Sequence, residues 1–256
     1  MRRHVLAVLV ACVCIAGAME RALSDGYAPY DAAPAYTPAP QGWRGFYLGA
    51  HLGGTWGSSE ATDSSTTVTL NDYWSAAPSG FVFGAQLGYN WQVGPVIYGI
   101  EGDLGNLGLA GSATTTFVPL GYEASTSTDS DFYMTLRGRL GVLMNGWMLY
   151  FTGGYLGADT TVSVIEACDA FLCGLPTVSA SSSSFRNGWT LGGGFEAALE
   201  GAWTAKVEYL YYDIGAVSVT TPAGPLGPPN TWNVETDGSM VRAGINYRFN
   251  SFKIGY

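Results

Sequence analysis

The chain has 256 residues, of which 47% are hydrophobic, 14% aromatic and only 12% charged, with 20 Asp and Glu against 11 Lys and Arg and a formal net charge of -9. Glycine reaches 36 residues, about twice the usual share of ~7%. No run of about 18 apolar residues is present, so the composition excludes a transmembrane helix, and one continuous series of segments is read as a single domain.

At the N-terminus Met1, Arg2, Arg3 and His4 form a short basic stretch, residues 5–18 a mostly apolar one, and Ala16-Gly17-Ala18 a small-residue cleavage site. Residues 1–18 therefore read as a signal peptide that exports the chain into an oxidising compartment. A second reading fits the same stretch: Leu9-Val10-Ala11-Cys12 resembles a lipoprotein box that would make Cys12 the lipidated first residue. Residues 19–42, with Pro29, Pro34, Pro38 and Pro40, form a Pro/Ala-rich flexible lead-in.

Eight amphipathic segments follow, at residues 45–56, 81–91, 95–105, 131–144, 147–157, 188–200, 203–215 and 239–249. Each holds the roughly 9 to 11 residues that a tilted strand needs to cross hydrocarbon. The connections after the second, fourth and sixth are tight, at Gln92-Val93-Gly94, Asn145-Gly146 and Glu200-Gly201. Asn-Gly is the preferred pair for a two-residue hairpin with positive φ. The others run to roughly 20 to 30 residues rich in Ser, Thr, Asp and Gly, the alternation that outer-membrane barrels carry between periplasmic turns and extracellular loops. The pattern predicts an all-β fold, an eight-stranded antiparallel transmembrane β-barrel with four short periplasmic turns or tails and four long extracellular loops, placed in the outer membrane of a Gram-negative cell.

Parity along the strands decides which solvent surrounds them. In the first segment Phe46, Leu48, Ala50, Leu52 and Trp56 oppose Tyr47, Gly49, His51, Gly53 and Thr55; in the fourth, Phe132, Met134, Leu136, Leu140 and Val142 oppose Tyr133, Thr135, Arg137, Arg139 and Gly141. The second set is too polar for a soluble core, so the apolar set faces lipid. The fifth segment is ambiguous in register, and its faces stay unassigned.

The same parity sends Glu101, Asp103, Arg137, Arg139, Glu196, Lys206, Glu208, Arg242 and Arg248 into the lumen, joined by His51. A Lys or Arg facing lipid near the midplane costs about 2 to 4 kcal/mol, so this segregation is selected rather than accidental. Four acids and five bases make a nearly neutral network that fills an eight-stranded interior and plugs it. A narrow path for ions or small solutes is the alternative. With the bases hidden inside, nothing favours nucleic acid.

The long connections and strand tips hold Glu60, Asp63, Asp72, Glu123, Asp129, Asp131, Asp159, Glu166, Asp169, Asp213, Glu235 and Asp237, against Arg186 as their one clear base. Such an acidic crown suits divalent cations shared with lipopolysaccharide, or cationic ligands; it also serves simply to keep loops solvated. Cys168 and Cys173, five apart in the third long connection, are expected to form a local disulfide in an exported protein, since two thiolates without a nearby His do not complete a zinc site.

Taken together, WRGFYLGAHLGG (43–54), FGAQLGYNWQ (83–92), YGIEGDLG (98–105), LRGRLGV (136–142), KVEYLYYDIG (206–215) and VRAGINYRF (241–249) resemble the small porin-family or opacity-protein-like outer-membrane barrels of rhizobial and related bacteria. The resemblance spans residues 43–249. It implies an OmpA-type barrel with a structural role in envelope integrity and in surface interaction, working with outer-membrane lipid, lipopolysaccharide and the barrel assembly machinery, and with no cofactor. It also implies an assembly signal in the last strand, at Gly244, Tyr247 and Phe249. The chain departs from the pattern by continuing through residues 250–256, so that either the signal is internal and a short tail follows, or Tyr256 is the terminal aromatic. Some eight-stranded barrels are lipid-modifying enzymes, which need a nucleophile and a base within reach. Beyond the signal only His51 is available, in mid-lumen, and the expectation is that the chain is not an enzyme.

Overall fold

Alternation with a period of two belongs to extended backbone. In the computed structural model, which describes residues 42–63, 73–117, 122–168, 177–222 and 230–249, that alternation runs through nine strands. They are β1 Gly45–Asp63, β2 Tyr73–Ala76, β3 Ser79–Val93, β4 Val96–Phe117, β5 Tyr122–Met144, β6 Trp147–Cys168, β7 Val178–Ala198, β8 Trp203–Thr221 and β9 Asn230–Arg248. All neighbours are antiparallel, and β9 returns to β1 along a ladder from Tyr47↔Arg248 to Asp63↔Trp232, which closes the ring. The four-residue β2 pairs with the outer end of β1, on the side that β3 occupies lower down. The two are one stave interrupted at Ala77 and Pro78, because proline has no N–H to give a ladder. The Pro78 carbonyl instead accepts from the Gly57 N–H at 2.8 Å. The eight segments of the sequence thus correspond to the eight long strands, and the ninth is the severed end of one of them.

At one end the turns are tight. Asn145 and Gly146 adopt φ of 49° and 87°, the left-handed conformation that their hairpin requires. At the other end much of what reads as loop is strand: β4 continues to Phe117 and β5 starts at Tyr122. The Thr- and Ser-rich stretches 112–116 and 125–128 sustain the ladder because β-branched residues fit a pleated surface and pairing satisfies the backbone.

Leu48, Leu52, Phe83, Leu87, Leu136 and Leu140 stand outward and exposed, a continuous apolar surface that water would not tolerate and that a bilayer requires. From Phe46 to Trp56 on β1 is ten residue steps, which at ~3.4 Å each and a tilt of ~40° gives about 25 Å of height. Aromatic rings mark both edges of this band. Phe46, Tyr98, Trp147, Trp203 and Tyr247 lie near the turns, and Trp56, Tyr155 and Trp189 at the opposite edge. The fifth segment, now β6, points Met148, Tyr150, Thr152 and Leu156 inward and Phe151 and Tyr155 outward.

The interior is layered. Trp43, Ile97, Met148 and Tyr150 form an apolar floor near the turns, and Val82, Leu107, Leu156, Leu210, Tyr212 and Met240 belong to a second apolar layer higher up. Between them lie the charged residues. Past the outer aromatic edge the wall is no longer laddered all round. The β7–β8 ladder ends at Trp189↔Asp213 and the β3–β4 ladder at Ser79↔Ala110. Above those points two sheets remain among the described residues, β2-β1-β9-β8 and β4-β5-β6-β7, and they share a third apolar cluster of Ala61, Val162, Val164, Val219, Trp232 and Val234.

Candidate functional site

The lumen charges come from five strands whose inward parity brings them to one height. Glu101 and Asp103 on β4, Arg137 and Arg139 on β5, Glu196 on β7, Lys206 and Glu208 on β8 and Arg242 on β9 are all buried. Arg137 is the hub, with Nη2 at 2.5 Å from Glu101 and 2.8 Å from Asp103, and Nη1 at 3.0 Å from Glu208. Arg242 joins Asp103 at 3.0 Å and Glu208 at 2.6 Å. Arg139 reaches Glu196 at 2.7 Å and Glu101 at 3.3 Å, and the Lys206 ammonium donates to both oxygens of Glu101 at 2.9 Å. The eight joined residues comprise four carboxylates and four cations, so the lattice is neutral where the full set of nine carries one extra base. Neutrality matters because an unpaired ion in such a place costs several kcal/mol, roughly 3–5 when one partner of a buried pair is removed.

Neutral donors complete the lattice. Tyr47 donates to Glu101 at 2.8 Å, Thr135 to Asp103 at 2.5 Å, Tyr150 to Glu208 at 3.0 Å, Thr204 to Glu196 at 2.5 Å and Asn246 to Glu196 at 2.9 Å. These were absent from the predicted site, although parity already puts Tyr47 and Thr135 on the polar face. For the lumen tyrosines the signal is a glycine facing each ring. Tyr47 pairs with Gly88, Tyr133 with Gly105, Tyr150 with Gly194 and Tyr212 with Gly238, each pair directly opposite in register. In every case a Cβ on the glycine would fall against the tyrosine ring, so the missing side chain makes the room in which the ring lies across the lumen.

Arg248 points inward as predicted but one layer lower. Its guanidinium lies 4.8 Å over the Trp43 ring and donates to the Gly42 carbonyl at 3.4 Å. His51 sits at the upper margin, with Nδ1 at 2.5 Å from Gln86 and Nε2 at 2.5 Å from the Tyr133 hydroxyl, and with Arg242 at 3.3 Å. In the last strand Gly244 faces inward toward Lys206, Tyr247 and Phe249 face outward, and the Phe249 N–H donates to the Phe46 carbonyl at 2.8 Å. Cys168 ends β6, whereas Cys173 lies outside the described residues, as do the signal peptide and residues 250–256.

The acidic residues take a different place from the one expected of loops. Glu60, Asp129, Asp159, Asp213, Glu235 and Asp237 lie on strands with their side chains on the outer wall. Glu60 is directly opposite Glu235, and Asp213 directly opposite Asp237. Asp72 and Asp169 lie outside the described residues. Arg186 is not part of a solvated crown but is buried at the parting of β7 and β8, where it donates to the Ala216 carbonyl at 2.8 Å.

Comparison with known proteins agrees with this architecture. The model of a family described as an outer membrane protein beta-barrel domain matches residues 31–250. A 31 kDa outer-membrane immunogenic protein of Brucella melitensis is 30% identical over 249 residues, which cover 94% of this chain and 99% of the relative. A 22 kDa outer membrane protein of Rhizobium leguminosarum is 29% identical over 209 residues, covering 81% of this chain and 78% of the relative. Among solved structures, the outer membrane protein OprG of Pseudomonas aeruginosa matches 81% of this chain and 97% of its own with a TM-score of 0.49 and 14% identity. A closed antiparallel ring with an apolar outer belt, and a family match over most of its length, make this chain a member of the outer-membrane β-barrel proteins.

Proposed function

We propose that the protein is a closed structural barrel of the outer membrane, which contributes to envelope integrity and meets the surroundings through the two sheets above the bilayer. The observation that carries this reading is the neutral ion-pair lattice enclosed between two apolar layers. Ion pairs spanning the lumen tie together strands that are not neighbours in the ring, and apolar residues pack on both sides of the lattice. Lipid and lipopolysaccharide are the partners it implies, met by the outward leucines and the aromatic edges.

Refolding the mature chain into planar lipid bilayers tests it. Insertion without conductance is expected. Stable, reproducible open steps would transfer the function to a narrow pore for ions or small solutes. A lipid-modifying activity has less support, since the ring nitrogens of His51 face Gln86, Tyr133 and Arg242 rather than a serine or threonine nucleophile.

A further inference from the structure

Above Trp189↔Asp213 the strands β7 and β8 separate. Residues 178–188 of β7 keep ladder partners on β6, and residues 216–221 of β8 keep theirs on β9. The separation has a local cause: Gly215 takes a φ of +70°, and the β8–β9 register slips between Asp213 and Ala216, which turns β8 away. Each strand then presents one row of backbone N–H and C=O groups to the seam with no ladder partner among the described residues. Arg186, donating to the Ala216 carbonyl at 2.8 Å, ties only the foot of it.

Exposed edges are normally blunted by proline, by lysine or by charges turned inward. Residues 178–184 of β7 read Val-Ser-Ala-Ser-Ser-Ser-Ser and carry none of these. The chemistry beside the seam is also one-sided. On the outer wall Asp159 is the register partner of Phe185 on one side, and on the other Asp213 pairs with Asp237 and Ala216 with Glu235. On the inner side the neighbours above Arg186 are small or apolar, with Ala180 and Val217 packed on the upper apolar cluster.

We propose that the open edge of β7 accepts an extended cationic peptide strand from outside the cell, by β-strand addition in the seam between β7 and β8. Main-chain hydrogen bonds to residues 178–187 would hold the guest, its outward side chains being Lys or Arg that reach Asp213 at the foot of the seam and Asp159, Glu235 and Asp237 one strand further out on either side, and its inward ones small and apolar. The proposal rests on the surface role given above and names the partner chemistry for it.

The test uses the full mature barrel in zwitterionic nanodiscs with three ten-residue probes: alternating Lys and Val, alternating Glu and Val, and the Lys-Val peptide methylated on every backbone nitrogen. The Lys-Val peptide is expected to bind about ten-fold tighter than the Glu-Val one, and to slow amide exchange at residues 178–187. Methylation, which keeps the charge and removes the donors, is expected to abolish binding. The triple variant Asp213→Asn, Glu235→Gln, Asp237→Asn is expected to weaken the Lys-Val peptide about ten-fold while leaving the barrel folded. Equal binding of the methylated peptide would reduce the effect to surface charge and overturn the proposal. Protection of the same amides in a peptide-free dimer would also overturn it, by giving the edge to a second copy. Conductance of the same preparation reports separately on the lumen: a silent barrel that ignores the peptides sinks only this proposal, and a conducting one that binds them sinks only the closed-lumen reading.

Discussion

Lys206 on β8 and Glu101 on β4 stand on diametrically opposed strands of the ring, and the ammonium nitrogen lies 2.9 Å from both carboxylate oxygens. The pair is asymmetric. Glu101 also receives Arg137, Arg139 and Tyr47, whereas Glu101 is the carboxylate that holds Lys206. Glu101→Gln is therefore expected to destabilise the barrel by about 3–5 kcal/mol, because it strands a buried ammonium. Lys206→Met, leaving Glu101 with Arg137, Arg139, Tyr47 and the more distant Arg242, is expected to cost about 1–3 kcal/mol. The double variant should recover part of the larger loss. Urea unfolding in lipid vesicles measures all three, and equal losses for the two single variants would refute the asymmetry.

Neutralising Arg137 and Arg139 together, as Arg137→Gln and Arg139→Gln, leaves four carboxylates with Lys206 and Arg242. A marked loss of unfolding midpoint is expected, larger than that of either single change, since both residues share Glu101. The outward carboxylates should remain as accessible as before. A double variant that matched the parent in midpoint would remove the lattice as a source of stability.

Gly88→Ala places a methyl group against the Tyr47 ring and is expected to destabilise by about 1–3 kcal/mol through overpacking. In a Tyr47→Ala background the penalty should fall but not vanish, because the Ile100 carbonyl is also close to that position. A double-mutant cycle on the unfolding midpoint reads the coupling. Additive effects would mean that ring and glycine are not interlocked.

Phe249 ends the ring closure, with its N–H on the Phe46 carbonyl. Deleting residues 250–256 is expected to leave assembly unchanged, whereas Phe249→Ala should lower the amount of heat-modifiable, folded barrel in outer-membrane fractions. The reverse pattern would assign the terminal aromatic to Tyr256.

Most of the barrel is legible in the chain because its determinants are local. Period-two alternation separates Leu136 and Leu140 from Arg137 and Arg139 within a few residues, and Asn145-Gly146 states its own turn. Where the local signal is mixed the reading stops: β6 turns Met148 and Leu156 inward and Phe151 outward, so both faces are apolar and parity cannot rank them. Inward direction, the β4–β5 neighbours Glu101 and Arg137, and an apolar lipid face were therefore available from residues alone. Only the closed ring decided that Lys206 meets Glu101, that Arg248 drops to Trp43 outside the neutral lattice, and that β7 and β8 part above Trp189. Which side chains share a height across a barrel depends on the stagger summed around all its strands, a quantity that no single strand carries.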